Sequence, residues 1–234
     1  MSRRDDLDRL YLLLAEMERG QGGYRYLNQS DGRSAWPERS VYFFFEPGEL
    51  REDGAHLRVV RAGTHALTAT SRTTLWRRLA QHRGQLGGSR AGGGNHRGSI
   101  FRLHVGAAIL NRGDYSDAVR ATWGQGNSAA GAVLDTELEL ERGVSQFIGR
   151  MPFLFVEIPD APGNTNHRGT IEAGAIGLLS NRGKPPIDPP SPTWLGCYAD
   201  RPAIRESGLW NVNHVEGAYD PASLDMLEKH IRAH

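Results

Sequence analysis

Two short apolar runs in the first quarter of the chain predict buried β-strands. Residues 41–45 and 57–60 are rich in β-branched, leucine and aromatic side chains. Proline, glycine and aspartate residues lie between the two runs, as they do in turns. The simplest arrangement is therefore two neighbouring strands that form a hairpin. A further continuous apolar run at residues 153–158 predicts another buried strand.

Several other segments have the period of an amphipathic helix. Helices are predicted over residues 5–19, 73–83, 135–149, 170–180 and 221–231. In the 73–83 segment leucines recur four positions apart, and Thr70, Ser71 or Thr73 can cap its N-terminus. Thr170 stands at the corresponding cap position of the 170–180 segment.

The segment that follows the 73–83 helix is less regular. Residues 84–98 are rich in glycine, which predicts a loop whose backbone can approach a ligand closely; a disordered surface loop is the alternative. In residues 99–105 apolar residues alternate with Arg102 and His104, which predicts a strand with one buried and one basic face. Further along, the proline-rich residues 185–192 predict a connection that no helix can cross.

The distribution of charge points to a polyanionic ligand. The net charge is only +1, yet residues 54–113 contain ten arginines, five histidines and no acidic residue. A surface built against phosphate groups has this composition. Chance clustering of arginines is the alternative interpretation. A nucleic acid is therefore the first ligand to consider.

Cysteine content and hydropathy exclude several classes of protein. Cys197 is the only cysteine, so the chain has neither an internal disulfide framework nor a cysteine-based zinc cluster. No apolar run is long enough to span a membrane, and the first residues lack the hydrophobic core of a signal peptide. We therefore expect a cytoplasmic protein that does not bind membranes.

A set of short motifs follows the predicted strands and helices in a definite order. The set consists of Val41-Tyr42 on the first strand, Ala62-Gly63 after the second, Arg78 and His82 on the next helix, and Glu172 on a later helix. This order resembles the GIY-YIG nuclease superfamily. Val41-Tyr42 matches its first Ile-Tyr and Ala62-Gly63 its Ile-Gly, while Glu172 matches its metal-binding glutamate.

Each of these residues also has an interpretation that involves no catalysis. Tyr42 in an apolar strand is typical of a core aromatic residue, and Arg78 with His82 is typical of a solvated helix face. Glu172 near the start of a helix can offset the helix macrodipole. It is, however, the only acid within residues 161–187 and has small and apolar neighbours in sequence. That setting favours a functional role for Glu172.

The resemblance covers residues 40–185 and implies an α+β fold, in which a small, mostly antiparallel central sheet is flanked by helices. The nuclease core carries a long insertion at about residues 84–150. Residues 1–39 then form an N-terminal helical extension, and residues 186–234 form a C-terminal extension. A chain of 234 residues is long enough to fold as a single domain of this kind.

Two positions depart from the pattern of the superfamily. Arg61 occupies the position of the second tyrosine, and Ser40 precedes Val41 where the superfamily has glycine. Because the second hydroxyl is missing, His65 is the candidate for its role in proton handling or phosphate contact. His65 lies two residues beyond Gly63.

The resemblance implies hydrolysis of phosphodiester bonds with a bound Mg²⁺ or Mn²⁺ ion. Tyr42 would activate the attacking water and Arg78 would hold the scissile phosphate, while His82 and His65 would assist by hydrogen bonding. Glu172 would hold the metal ion against the leaving group. One carboxylate is sufficient for Mg²⁺, because this ion retains most of its waters.

Further residues are candidates for nucleic-acid contacts. They are Arg61, Arg77, Arg83, Asn95, His96, Arg97 and Arg102, with His104 on the same predicted strand and Asn181 beyond the glutamate. In the C-terminal part, Asn211, Asn213 and His214 can read base edges, whereas core packing is the better explanation for Trp210.

The leading hypothesis is a metal-dependent endonuclease that acts on DNA, with double-stranded DNA as the expected partner. The alternative is a nucleic-acid-binding module that keeps the scaffold but has lost efficient turnover, as the arginine at position 61 suggests. A small-molecule enzyme with no nucleic-acid ligand is the third hypothesis.

Overall fold

The computed structural model describes residues 2–161, 163 and 166–233. Its strands are β1 (Arg25–Tyr26), β2 (Ser40–Leu50), β3 (Leu57–Gly63) and β4 (Pro152–Glu157). Its helices are α1 (Arg3–Gly20), α2 (Leu75–Arg83), α3 (Ile100–Arg112), α4 (Asp117–Thr122), α5 (Gly131–Thr136), α6 (Leu138–Gly149), α7 (His167–Leu179), α8 (Pro202–Ser207) and α9 (Ala222–Ile231). Among the described residues, no helix combines the length and apolar character needed to cross a bilayer.

The four strands form one antiparallel sheet with the order β1-β4-β2-β3. The predicted hairpin of β2 and β3 is confirmed, and β2 lies at the centre because it also pairs with β4. At the edge of the sheet, the backbone N–H of Trp210 donates to the carbonyl oxygen of Val60 at 2.7 Å. The segment around Trp210 therefore covers the outer edge of β3.

Helices cover both faces of the sheet, as the predicted α+β fold requires. Alternate side chains of β2 point to opposite faces, so that Val41 and Phe43 join one apolar core and Tyr42 and Phe44 join the other. The first core contains side chains of α1, α7 and α9, and the second contains side chains of α2, α3 and α6. The sheet thus separates Tyr42 from most of α7.

The strand predicted for residues 99–105 is wrong, because this segment begins helix α3. The side-chain oxygen of Ser99 accepts a hydrogen bond from the backbone N–H of Arg102 and caps the helix. Phe101, Arg102, His104 and Val105 are all buried, so the apparent alternation of apolar and basic residues does not separate a core face from a solvent face.

A buried ion-pair network explains why basic residues can lie inside this region. Arg102 forms an ion pair with Glu141 of α6 and donates to the carbonyl oxygen of His82 at 2.8 Å. Nδ1 of His96 lies 3.0 Å from the other carboxylate oxygen of Glu141. Arg97 makes a two-pronged ion pair with Glu137 at 2.7 and 2.9 Å. These contacts tie the glycine-rich loop and α3 to α6.

The glycine-rich loop packs against this network. A Cβ atom at Gly94 would collide with the guanidinium group of Arg102, and one at Gly84 would collide with the backbone of Gly93. The glycine content predicts that the backbone of this loop comes close to another group. At Gly94 that group is the guanidinium of Arg102, so this glycine needs no ligand to explain it.

Helix starts differ from the predictions by a few residues. Helix α2 is capped by Thr74, whose hydroxyl accepts from the backbone N–H of Arg77 at 3.3 Å. Helix α7 begins at His167 and is capped by Asn166, so that Thr170 lies inside the helix. Glu172 therefore lies in the second turn of α7, where the macrodipole alone gives little reason for an acid.

Candidate functional site

A cavity of about 430 Å³ opens beyond the end of β3. Its walls come from parts of the chain that are distant in sequence. The lining residues are Arg61 of β3, Thr64 and Leu67 just after β3, Arg78 of α2, Ile100 and His104 of α3, Glu172 and Ile176 of α7, and, from residues 201–214, Arg201, Trp210, Asn211, Val212, Asn213 and His214. The cavity is thus a meeting point of both helical layers.

The charge of the cavity favours an anionic ligand. Three arginines, Arg61, Arg78 and Arg201, line it together with two histidines, and Glu172 is the single carboxylate among its lining residues. Positive charge concentrated in a partly enclosed space attracts phosphate. One guanidinium group can donate two parallel hydrogen bonds to a single phosphate group.

Arg61 is buried in the wall of the cavity, and no described carboxylate lies close enough to form an ion pair with it. Its Nη1 donates to the carbonyl oxygen of Trp210 at 2.9 Å, and its guanidinium lies 4.7 Å from the centre of the Phe101 ring. Nε has no hydrogen-bond partner among the described residues. Burial lowers the pKa of Arg61. A buried cation that lacks an ion pair gains most from an anion that enters the cavity.

Glu172 faces the cavity from α7. One carboxylate oxygen, Oε1, accepts a hydrogen bond from the backbone N–H of Thr64 at 3.1 Å. In the described part of the chain no donor reaches Oε2. Burial raises the pKa of Glu172, and the positive charge of Arg61 acts in the opposite direction. The carboxylate therefore has one oxygen fixed by the backbone after β3 and one available to a cation.

Tyr42 lies behind the wall of the cavity. Its side chain has no exposed surface, and its hydroxyl lies 3.1 Å from Nε2 of His82. The ring covers Gly63, where a Cβ atom would lie 2.6 Å from the hydroxyl oxygen. Glycine is required at position 63 for this reason. In this conformation the hydroxyl of Tyr42 faces His82 behind the cavity wall, and the role of Tyr42 in activating the nucleophile stays a prediction.

His82 is buried with Tyr42 in the same layer. Nδ1 of His82 lies 2.8 Å from the hydroxyl oxygen of Ser99, so that Tyr42, His82 and Ser99 form a continuous chain of hydrogen bonds. Burial lowers the pKa of His82 well below its usual value, and the neighbouring Arg78 and Arg61 act in the same direction. His82 is therefore neutral at pH 7. Its ring nitrogens contact Tyr42 and Ser99, and its assisting role in hydrolysis stays a prediction.

The whole chain matches a known protein family. A family model described as the GIY-YIG domain matches residues 1–234. The chain belongs to the GIY-YIG family. No curated protein and no solved structure matches the chain significantly. Members of the GIY-YIG family are endonucleases, so the chain has a nuclease-type fold and nucleic acid is the substrate class of its family.

The departure from the GIY-YIG pattern at Arg61 is not compensated by His65. Nε2 of His65 lies 2.9 Å from the carbonyl oxygen of Glu38, and the ring is buried outside the cavity walls. Burial also lowers the pKa of this imidazole. The prediction that His65 takes over the role of the second tyrosine therefore has no support in the geometry.

Asn181 also lies away from the GIY-YIG cavity. Its side-chain oxygen accepts from Arg3 at 3.1 Å and from the backbone N–H of Ile187 at 2.9 Å. The asparagine that does reach the cavity is Asn211, which exchanges hydrogen bonds with both backbone groups of Ala62 at 3.2 and 2.8 Å. Sequence reasoning noted the Asn-x-Asn-His cluster of the C-terminal part but could not place it beside β3.

The remaining predicted nucleic-acid contacts fall into two groups. His96, Arg97 and Arg102 have buried polar groups that are bound within the protein, and the side chain of Asn95 caps the backbone of Arg97. These four were expected to face DNA, and their internal partners explain them instead. Arg77 is exposed without a side-chain partner among the described residues, and Arg83 is half-buried against Trp76.

The buried position of Tyr42 gives a testable expectation for this GIY-YIG protein. Tyr42→Phe keeps the ring over Gly63 and removes the hydroxyl with its contacts to His82 and Arg61. We expect the cleavage rate to fall by about tenfold or less, whereas loss of a group that transfers protons directly costs about 10²–10⁴-fold. Single-turnover cleavage rates of the two proteins measure the difference. A loss as large as that caused by substituting Glu172 would show that the hydroxyl of Tyr42 acts directly on the reacting atoms.

Proposed function

We propose that this protein is a metal-dependent endonuclease that hydrolyses phosphodiester bonds in DNA. The observation that carries the proposal is the combination of three arginines with a single carboxylate in one cavity of a GIY-YIG fold. A phosphodiester needs cations around its oxygens, and its hydrolysis needs a group that stabilises the leaving oxygen. The arginines are the cations that line the cavity, and Glu172 would hold the metal ion that stabilises the leaving oxygen.

Arg78 and Arg61 are the residues that would hold the scissile phosphate. Arg78 reaches the cavity from α2 and Arg61 from β3. They approach from different elements, so a phosphate bound between them is fixed in orientation as well as in position. The positive charge of both groups then faces the oxygens on which negative charge grows during hydrolysis.

Glu172 fits a Mg²⁺ or Mn²⁺ ion. Its oxygen Oε2 is available, while Oε1 is held by Thr64. The described residues contain no cluster of three or more acidic, histidine or cysteine side chains arranged for a metal ion. A single carboxylate suits Mg²⁺, which binds few protein ligands and keeps its waters. When bound, the ion supplies positive charge to the leaving oxygen.

Double-stranded DNA is the substrate that we propose. Arg77 is exposed one residue before Arg78, and Arg201 is exposed on the C-terminal side of the cavity. Cations on two sides of the cavity can contact the phosphates that flank the scissile one, and such contacts make binding salt-dependent.

A second candidate function is a nucleic-acid-binding module without efficient turnover. Arg61 in place of the second tyrosine and the buried hydroxyl of Tyr42 favour it. Binding of DNA that weakens with salt, combined with no cleavage in Mg²⁺ or Mn²⁺, would support this function over the nuclease.

Two adjacent arginines of α2 provide a matched test of the proposed function. We expect Arg78→Ala to slow cleavage of plasmid DNA by about 10²–10³-fold, because a cation beside the developing charge is lost. Arg77→Ala should change the rate only a few-fold and act mainly through DNA affinity. Both variants remove one positive charge from the same helix. Equal effects of the two substitutions on the rate would contradict a specific role for Arg78.

A further inference from the structure

A second cavity, of about 380 Å³, is lined by residues of β2, α3 and α6. Glu46 of β2 lines it and is only 7% exposed. One carboxylate oxygen, Oε2, accepts a hydrogen bond from Nε1 of Trp194 at 3.0 Å and another from Nε1 of Trp210 at 3.2 Å. No described residue donates to the other oxygen, Oε1, and that atom is not sealed inside the protein. Oε1 is therefore available to a donor that enters the cavity.

The two tryptophans alone do not explain a carboxylate at position 46. The oxygen of a glutamine could accept the same two indole hydrogen bonds without the burial of a charge. The nearby cation, Arg58, is already paired with Glu49 at 2.9 Å. Burial raises the pKa of Glu46 to about 7, although the indole hydrogen bonds act in the opposite direction. The carboxylate is thus held at a cost in free energy that its packing role does not require.

The exposed part of this cavity carries positive charge. Arg112 at the end of α3 and Arg150 just after α6 line the cavity and are exposed, and neither has an ion pair among the described residues. The side chains of Ile109, Phe147 and Met151 provide apolar wall. Guanidinium groups bind phosphate, and aromatic or aliphatic side chains pack on flat rings. The cavity therefore fits a ligand that combines a hydrogen-bond donor, a flat ring and an anion.

We propose that this cavity is a second binding site, for a nucleotide whose base carries an exocyclic amino group. The amino group of cytosine, adenine or guanine would donate to Oε1 of Glu46, as it can to carboxylates in DNA grooves. The phosphate would contact Arg112 and Arg150. Uracil and thymine fit less well, because their carbonyl oxygens would face the carboxylate. The volume lies within the usual range for small-ligand sites.

Calorimetric titration with nucleotides tests the site without any cleavage. At about pH 8, above the pKa of Glu46, deoxycytidine 5′-monophosphate should bind about tenfold more tightly than deoxyuridine 5′-monophosphate, or better still. These two ligands differ in the group that would face Glu46. Deoxyinosine 5′-monophosphate lacks the amino group of either common purine. It is the matched control for the adenine and guanine nucleotides.

Glu46→Gln should reverse the preference between the two pyrimidine nucleotides. The amide oxygen would keep both indole hydrogen bonds, so the amide nitrogen would face the cavity and donate to the carbonyl oxygen of uracil. Packing of the tryptophans alone would not produce this reversal. Glu139→Gln is the same change at an exposed acid of α6 outside this cavity, and it should leave the preference unchanged.

The two arginines have a test of their own, which also serves if Glu46→Gln does not fold. Arg112→Ala combined with Arg150→Ala should weaken the binding of deoxycytidine 5′-monophosphate to about that of deoxycytidine, which has no phosphate. Arg142→Ala removes an exposed arginine of α6 that does not line this cavity, and it should leave the affinity within a few-fold.

Three results would overturn the proposal. They are equal binding of nucleotides with and without the amino group, an unchanged preference in Glu46→Gln, and an unchanged affinity in the double arginine variant. Competition then identifies the source of the nucleotide. A DNA duplex with one unpaired cytosine will displace the monophosphate if the site takes a base extruded from DNA, and will not if it takes free nucleotides. Because these titrations require no catalysis, failure of the wild-type protein to cleave DNA would reject the proposed function alone.

Discussion

Glu172→Gln will abolish metal-dependent cleavage of plasmid DNA, lowering the rate by about 10³-fold or more. Among the described residues that line the cavity, the substitution removes the one carboxylate and leaves three arginines in place. Glutamine has the same size and can still accept the hydrogen bond from Thr64, so the fold should not change. Conversion of supercoiled plasmid to the nicked form in Mg²⁺ or Mn²⁺ measures the loss.

The same variant should bind DNA as tightly as the wild type or more tightly, because a negative charge has left a cavity that attracts phosphate. Glu139→Gln is the matched control, since Glu139 is an exposed acid of α6 outside the cavity. It should cleave at the wild-type rate. Cleavage by Glu172→Gln at the rate of the wild type would show that the observed activity does not need this carboxylate, and the metal assignment would fail.

Arg102→Ala should cost about 3–5 kcal/mol of the free energy of unfolding. The guanidinium has no exposed surface and is bound by Glu141, Ser145 and the carbonyl oxygen of His82. Its removal leaves the carboxylate of Glu141 buried without its main counter-charge. Urea unfolding followed by circular dichroism measures the change.

Arg142→Ala is the control for Arg102→Ala, since Arg142 is an exposed arginine of α6 whose side chain, among the described residues, hydrogen-bonds to the carbonyl oxygen of Ala91. It should change stability by less than about 0.5 kcal/mol. If Arg102→Ala does not fold at all, Arg102→Lys keeps the charge, and a partial loss of stability is expected. A change below about 1 kcal/mol in both Arg102 variants would be incompatible with a stabilising ion pair.

Local sequence patterns predict much of the fold, because turn residues and the burial of apolar side chains determine where most strands and helices form. The runs at 41–45, 57–60 and 153–158 became β2, β3 and β4, and the helical periods became α1, α2, α6, α7 and α9. Helix α3 was missed because Arg102 and His104 were assumed to face solvent. Arg102 can be buried because it pairs with Glu141, which lies 39 positions away along the chain. No local sequence pattern contains that partner.

The candidate site was predictable only in part. The order of the motifs along the chain predicts Arg78 and Glu172 as site residues, and both line the cavity. Burial of Tyr42 depends on α2 and α3 packing over the same face of the sheet, which the strand pattern does not contain. His104 and Arg201 lie in one cavity wall only because α3 and the segment that contains Arg201 pack together, and no local sequence pattern contains that packing.

The contact between Gly94 and the guanidinium of Arg102 has a consequence for how this family can diverge. Any side chain at position 94 would displace the guanidinium of Arg102. Without that guanidinium, the carboxylate of Glu141 would be buried without its counter-charge. Mutational drift at these three positions should therefore be correlated. Homologues that replace the buried ion pair with apolar residues should tolerate alanine or serine at position 94, whereas homologues that retain the pair should retain glycine there.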